Sequence, residues 1–190
     1  MPFPARTSPE AILDEFERQA ELGTLAAVTM RSIAGALGLQ VSSLYHHFPD
    51  RAMLEAALAA RAARQLRALI APTLAPGKAR RTLRGASAAY RQFASAHPTM
   101  YALLNATPAQ GSLELERDGK ALWNEVLAVI EAAGGRRDDT PAAVALWSLL
   151  HGFVSLEAAG LFGASGPKGG LDFALDALAA SLKDPSRPRG

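Results

Sequence analysis

The side chains able to do chemistry are few and unevenly placed. The four histidines are His46, His47, His97 and His151, and no two of them have the i, i+4 spacing beside a carboxylate that a helical zinc site needs. Cysteine is absent, which excludes disulfides and thiolate metal sites. GASGPKGG, at 163–170, lacks the preceding strand and the Lys-Ser ending of a phosphate loop and reads as a connection between helices. Serines are plentiful, but none sits in a nucleophile elbow. No catalytic residue, metal or cofactor is therefore expected. What remains is hydrogen-bonding chemistry, concentrated in Thr29–Arg51, TMRSIAGALGLQVSSLYHHFPDR. Hydroxyls, imidazoles and guanidinium groups at helical spacing suit the base edges and phosphates of nucleic acid.

Positioning those groups takes two short helices. Thr29 is a good N-cap, and Ile33, Ala34 and Leu37 give the first helix one apolar face before Gly38 stops it. Beyond the turn, Val41, Leu44, Tyr45 and Phe48 recur at three- and four-residue spacing, with Ser42, Ser43, His46 and His47 on other faces. Two helices too short to persist alone and sharing one small core have helix-turn-helix geometry.

TMRSIAGALG, LYHHF and PDR together resemble the DNA-binding signature of the TetR family of transcriptional regulators. The resemblance implies that Thr29 and Arg31 position the DNA backbone and that Val41, Ser42 and Ser43 face base edges. It places Tyr45, His46 and His47 along the groove and its phosphates, and Arg51 where the family usually has a phosphate-holding lysine. Gln40 stands where a Ser or Thr cap is usual, so the reading helix is expected to start poorly capped. The electrostatics are also unusual for a DNA module. Residues 1–60 hold four arginines and seven carboxylates, a formal charge of −3. Weak non-specific affinity follows, because phosphate neutralisation supplies most of it.

The 190-residue chain is 49% hydrophobic, rich in Ala and Leu and poor in β-branched residues, which predicts an all-α fold. Pro and Gly divide it into helices over about 9–22, 50–71, 78–96, 98–105, 112–133, 141–161 and 170–183. A DNA-binding domain over 1–55, an effector-binding and dimerisation domain over 56–184 and a frayed tail over 185–190 are expected. The first residues carry no long apolar run, so neither a secretory signal nor a membrane span is expected there and a cytoplasmic location is the default. Between Glu55 and Glu114 there is no acidic residue, yet Arg61, Arg64, Arg67, Lys78, Arg80, Arg81, Arg84 and Arg91 all fall there. This belt is either a solvated helix face, a partner for the acidic first helix, or a source of the cationic potential that the DNA module lacks.

LWSLLHGFVSLEAAGL, at 146–161, resembles a Trp-His-Gly element of one C-terminal domain type of the same family, through Trp147, His151 and Gly152. Gly152 in mid-helix predicts a close backbone approach, and a hydrogen-bonded core histidine would explain His151 equally. The resemblance implies a homodimer formed by helices 141–161 and 170–183, with inward stripes Val144, Trp147, Leu150, His151, Val154 and Ala158, and Leu171, Ala174, Leu175, Leu178 and Leu182. It also implies a small-molecule effector held among Phe93, His97, Met100, Tyr101, Leu104, Trp123, Leu127, Trp147 and His151, with an apolar or aromatic ligand preferred. The function implied is a repressor that binds palindromic double-stranded DNA and is released by the effector. A helical ligand-binding or adaptor protein that has lost DNA binding is the alternative, motivated by the acidic N-terminal module.

Overall fold

The computed structural model describes residues 8–106, 111–162 and 168–184. Among the described residues all regular structure is helical, as expected. The predicted connection at 163–167 and tail at 185–190 lie outside them.

Helix α1 (Pro9–Leu22) opens with Pro9 in its first turn and with the Ser8 hydroxyl accepting the Ala11 amide at 3.1 Å. One 3-10 turn, Leu25–Ala27, leads to α2 (Met30–Leu37), which Gly38 stops in the left-handed region at φ 69°. There follow α3 (Val41–His47), α4 (Arg51–Ile70), α5 (Ala79–Ala96), α6 (Pro98–Ala106), α7 (Leu113–Ala132), α8 (Thr140–Ala158) and α9 (Gly170–Ser181). Helix α8 stops three residues short of the expected end. Gly160 takes a positive φ of 71°, and its amide bonds back to the Glu157 carbonyl at 3.0 Å, closing the helix early.

The chain forms two compact units. The first comprises the described residues of Met1–Ala63 together with His97–Gly119. It contains the expected 1–55 module, the continuation of α4 to Ala63, and α6. Here α2 packs on α1 and α3, and α6 packs on α1. Ile12, Phe16, Ile33, Leu44, Leu54, Leu58 and Met100 are fully buried in this unit. Helix α4 buries Ala56–Ala60 without interruption, so small side chains let neighbours approach it from every side. Part of the basic belt does meet the acidic first helix: Arg61 binds Asp14 at 2.5 Å and Glu17 at 3.1 Å.

The second unit comprises Arg64–Ala96 and the described residues of Lys120–Gly190. Helix α5 packs against α8 and α9, which also pack on each other. Leu83, Phe93, Leu122 and Ile130 are fully buried, with Tyr90, Leu146, Leu150 and Leu175 nearly so. Buried Thr82 is satisfied by one neighbour, its hydroxyl accepting from the Ala75 amide at 3.1 Å and donating to the Ala75 carbonyl at 3.0 Å. The belt arginines of α5 pair with acids of α8 and α9: Arg80 with Asp176, Arg84 with Asp172 and Asp176, and Arg91 with Glu157.

Two expectations for α8 and α9 need correction. A Cβ placed on Gly152 would meet no atom within 4 Å, so among the described residues no close approach occurs there. Part of the predicted inward stripes is intrachain core, since Leu150, Val154, Leu175 and Leu182 are buried. Val144, on the predicted stripe of α8, is 49% exposed, and Leu156 and Phe173, off the predicted stripes, are 44% and 78% exposed. Both helices are apolar on more than one face, so periodicity alone could not choose between them.

Candidate nucleic-acid interface

The reading module is assembled by hydrogen bonds whose donors and acceptors are all local to the first unit. The Thr29 hydroxyl accepts the Ser32 amide at 3.0 Å, and the Ser32 hydroxyl accepts the Thr29 amide at 3.0 Å, a reciprocal cap that starts α2. The Ser32 hydroxyl also donates to Gln19 Oε1 at 2.7 Å, and Gln19 Nε2 donates to the Ser32 carbonyl at 3.2 Å. Gln19 Nε2 reaches Glu15 as well, at 2.6 Å, and Arg18 holds the same carboxylate through two hydrogen bonds. The Arg18 hydrogen bond is the main reason that the Glu15 carboxyl is held below the usual carboxylate range; desolvation opposes it and Gln19 adds to it. This network joins α1 to α2. The Thr29–Ser32 spacing signals the reciprocal cap; the link to Gln19 depends on helix packing and has no sequence signature.

Helix α3 is fixed from behind by buried Leu44 and by Phe48, whose amide caps the helix onto the Leu44 carbonyl at 2.8 Å. Gln40 makes no side-chain cap, as its chemistry predicts. Facing away from this support, Ser42 and His46 are exposed and Tyr45 is 48% exposed. Val41, Ser43 and His47 are half-buried, and the His47 ring stands edge-on to His46 with centroids 5.5 Å apart. Arg31 and Thr29 are exposed on α2 and its cap. An exposed tyrosine beside hydroxyls and an imidazole, on a helix locked by apolar contacts, forms a rigid polar edge able to hydrogen-bond in a groove.

Arg51 occupies a different position from its neighbours. Its guanidinium donates to the Val28 carbonyl, to the Leu25 carbonyl at 2.7 Å, and to Glu55 at 2.7 Å. The first two acceptors close the 3-10 turn that precedes α2, so Arg51 braces the module from within. Asp50 caps α4 as expected, accepting the Met53 amide at 2.8 Å.

The residues expected around an effector are divided between the units. His97, Met100, Tyr101 and Leu104 belong to the first, with Met100 fully buried and the others half-buried. Phe93, Trp123, Leu127, Trp147 and His151 belong to the second, where Phe93 is fully buried and the others half-buried. The second unit brings Trp147 edge-on to Tyr90, at 6.1 Å between centroids. These two rings, with Ile70, Val126 and Leu146, bound an apolar crevice of only about 10 Å³. Tyr90 was legible only as part of the apolar spacing of α5. The His151 carbonyl accepts the Ser155 hydroxyl at 2.8 Å. Among the described residues no group of three or more His, Asp or Glu could hold a metal ion.

A helix-turn-helix whose reading helix presents its polar edge to solvent, joined to a second helical unit, defines a DNA-binding regulator. Residues 12–58 match the family model described as bacterial regulatory proteins, tetR family, and residues 83–182 match the tetracyclin repressor-like C-terminal domain. The chain belongs to the TetR family of transcriptional regulators. It is 28% identical over 161 residues to the uncharacterized HTH-type transcriptional regulator Rv0681 of Mycobacterium tuberculosis, an alignment covering 83% of this chain and 73% of that protein. The fold is similar to that of a protein of unknown function from Rhodococcus sp. RHA1 (TM-score 0.74, 22% identity, 95% of this chain and 94% of that one). It is also similar to the TetR family regulator PfmR from Thermus thermophilus (TM-score 0.59, 19% identity, 93% and 99%). The multidrug binding protein EbrR, solved with imidazole, has a TM-score of 0.64 at 22% identity, covering 98% of this chain and 97% of that one.

Proposed function

We propose that this regulator is a repressor that binds a palindromic operator as a homodimer in the cytoplasm and is released by a small molecule. The observation that carries the reading is the exposed edge of α3, with Ser42, Tyr45 and His46 in solvent and Leu44 locked behind them. Ser42, Ser43 and Val41 reach base edges, while Tyr45, His46 and His47, with Thr29 and Arg31 on α2, follow the backbone. Arg51 serves the same surface indirectly, by fixing the turn before α2.

Dimerisation through α8 and α9 is supported by their uncovered apolar side chains, Val144, Leu156 and Phe173. Gly152 lies on the same face as Ser148 and Leu156, with open space above it, which suits a closely crossing helix from a second copy. A C2 dimer presents two α3 helices to half-sites on one side of the duplex. The domain division expected at 55/56 is refined in this reading: α6 joins the DNA-reading unit, and the helical unit around Tyr90 and Trp147 receives an apolar or aromatic effector. The crevice there is too small for a ligand as it stands, so binding requires it to open, and operator affinity changes with that opening.

A mobility shift on DNA flanking the regulator's own gene tests this. The native chain is expected to give one discrete complex at low salt, and the Tyr45→Ala, His46→Ala double variant is expected to lose it while remaining dimeric by light scattering. Absence of any complex at low salt would favour the second reading, a helical ligand-binding or adaptor protein, to which the net charge of −3 over residues 1–60 points.

A further inference from the structure

A second cavity in the unit that holds the apolar crevice is separate from that crevice and shares no residue with it. It is an open cleft of about 380 Å³ between α5, α8 and the start of α9, within the size range of small-molecule sites. Its lining combines two kinds of side chain. Phe153 and Phe162 stack at a tilt of 35° with centroids 4.9 Å apart, and Leu175 adds an aliphatic wall. Opposed to them are the cations Arg84, Arg91 and Lys168.

The charges around this cavity do not cancel. Glu157 accepts from one edge of the Arg91 guanidinium, from Nε at 3.1 Å and Nη2 at 2.5 Å, and Asp172 accepts from Arg84 Nε at 3.1 Å. Arg91 also lies 5.3 Å from the centre of the Phe153 ring, so it is oriented by an acid and an aromatic face together. Asp176 pairs with Arg84 at 3.5 Å and with Arg80 at 3.2 Å, so three carboxylates face the four cations Arg80, Arg84, Arg91 and Lys168, and one positive charge is in excess. Lys168 is left as the surplus charge, with no ion pair to any described residue. Gly169, which precedes α9, offers no side-chain cap, so the first amides of that helix add positive potential on the same side.

We propose that this cavity binds a small organic monoanion with an aromatic or aliphatic body, most simply a monocarboxylate. The phenyl shelf takes the body, and Lys168 and the Arg91 guanidinium take the carboxylate, which neutralises the single excess charge. Polyphosphates do not fit this balance, because the resident carboxylates would face a multiply charged ligand. A neutral hydrocarbon would leave the one excess charge without compensation. The inference concerns binding only and stands whether or not the chain reads DNA.

Isothermal titration of the intact chain with 2-naphthoate tests it, with 2-naphthamide as the neutral isostere. Saturable binding at one site per chain is expected, weakened about tenfold by Lys168→Gln, by Arg91→Gln and by the amide. Glu157→Gln removes a competing acid and is expected to tighten binding. Lys168 is exposed, so its variant is expected to keep the fold and remains decisive if Arg91→Gln unfolds. No saturable heat up to about 1 mM naphthoate would overturn the proposal. So would equal affinity for the amide, or binding that survives Lys168→Gln but is lost on Trp147→Phe, which would put the probe in the apolar crevice.

Discussion

Gln40 leaves the first amides of α3 without a side-chain acceptor, on the helix whose polar edge faces solvent. Gln40→Ser supplies that acceptor and is expected to raise stability by about 0.5–1 kcal/mol, read as a higher melting temperature. Arg51 makes the opposite kind of contribution, since its donors satisfy the carbonyls of Leu25 and Val28. Arg51→Ala is expected to cost about 1–3 kcal/mol in urea denaturation, with Arg51→Lys recovering little because an ammonium cannot reproduce the fork. A variant that keeps full stability but loses DNA binding would return Arg51 to the phosphate role that its position in the sequence implies. At Glu15 the direction of pH dependence is set by Arg18, which lowers the carboxyl pKa in the folded state. A depressed pKa gives stability that is present above the unfolded value of about 4.3 and is lost as pH falls through the folded value. Arg18→Gln is therefore expected to move the onset of acid unfolding, followed by circular dichroism, to higher pH.

Among the elements, α6 depends on another helix for its start. Glu21, at the end of α1, accepts the amides of Thr99 and Met100 at 3.5 and 3.3 Å, and the Thr99 hydroxyl donates to the Ala20 carbonyl at 3.1 Å. Glu21→Ala is expected to fray the first turn of α6, seen as faster hydrogen exchange at the amides following Pro98, for about 1 kcal/mol of stability. Unchanged exchange there would mean that Thr99 and Met100 hold the turn alone. Helix boundaries were legible because Pro9, Pro98 and Pro141 open helices and Gly23 and Gly38 close them. The exposed edge of α3 was legible too, since Leu44 and Phe48 leave Ser42, Tyr45 and His46 to the other side. What could not be read is where partners come from. Nothing near Glu21 announces a residue 78 positions away, and Arg51 finds its acceptors in a turn with no side-chain signature. The inward faces of α8 and α9 were hidden for a different reason, that apolar residues surround both helices.

At the scale of the molecule, the unit that holds the reading helix is not one stretch of chain. It needs His97–Gly119 as well as the residues up to Ala63, and Arg64–Ala96 belongs to the other unit. A fragment ending at residue 63 lacks α6, and with it Met100, which is fully buried, and the Glu21 cap. Such a fragment is expected to melt at lower temperature and with less cooperativity than the full chain by circular dichroism; a sharp transition at the same temperature would show that α6 contributes nothing. The same interleaving governs the order of events during synthesis. Helices α1–α3 are made before α6, yet the unit that contains them cannot close until α5 and α6 have been made and the first turns of α7 have followed. A nascent chain paused between residues 63 and 119 carries α3 on an unfinished support, so the ability to engage DNA is expected to arise only once α6 and the start of α7 have been made.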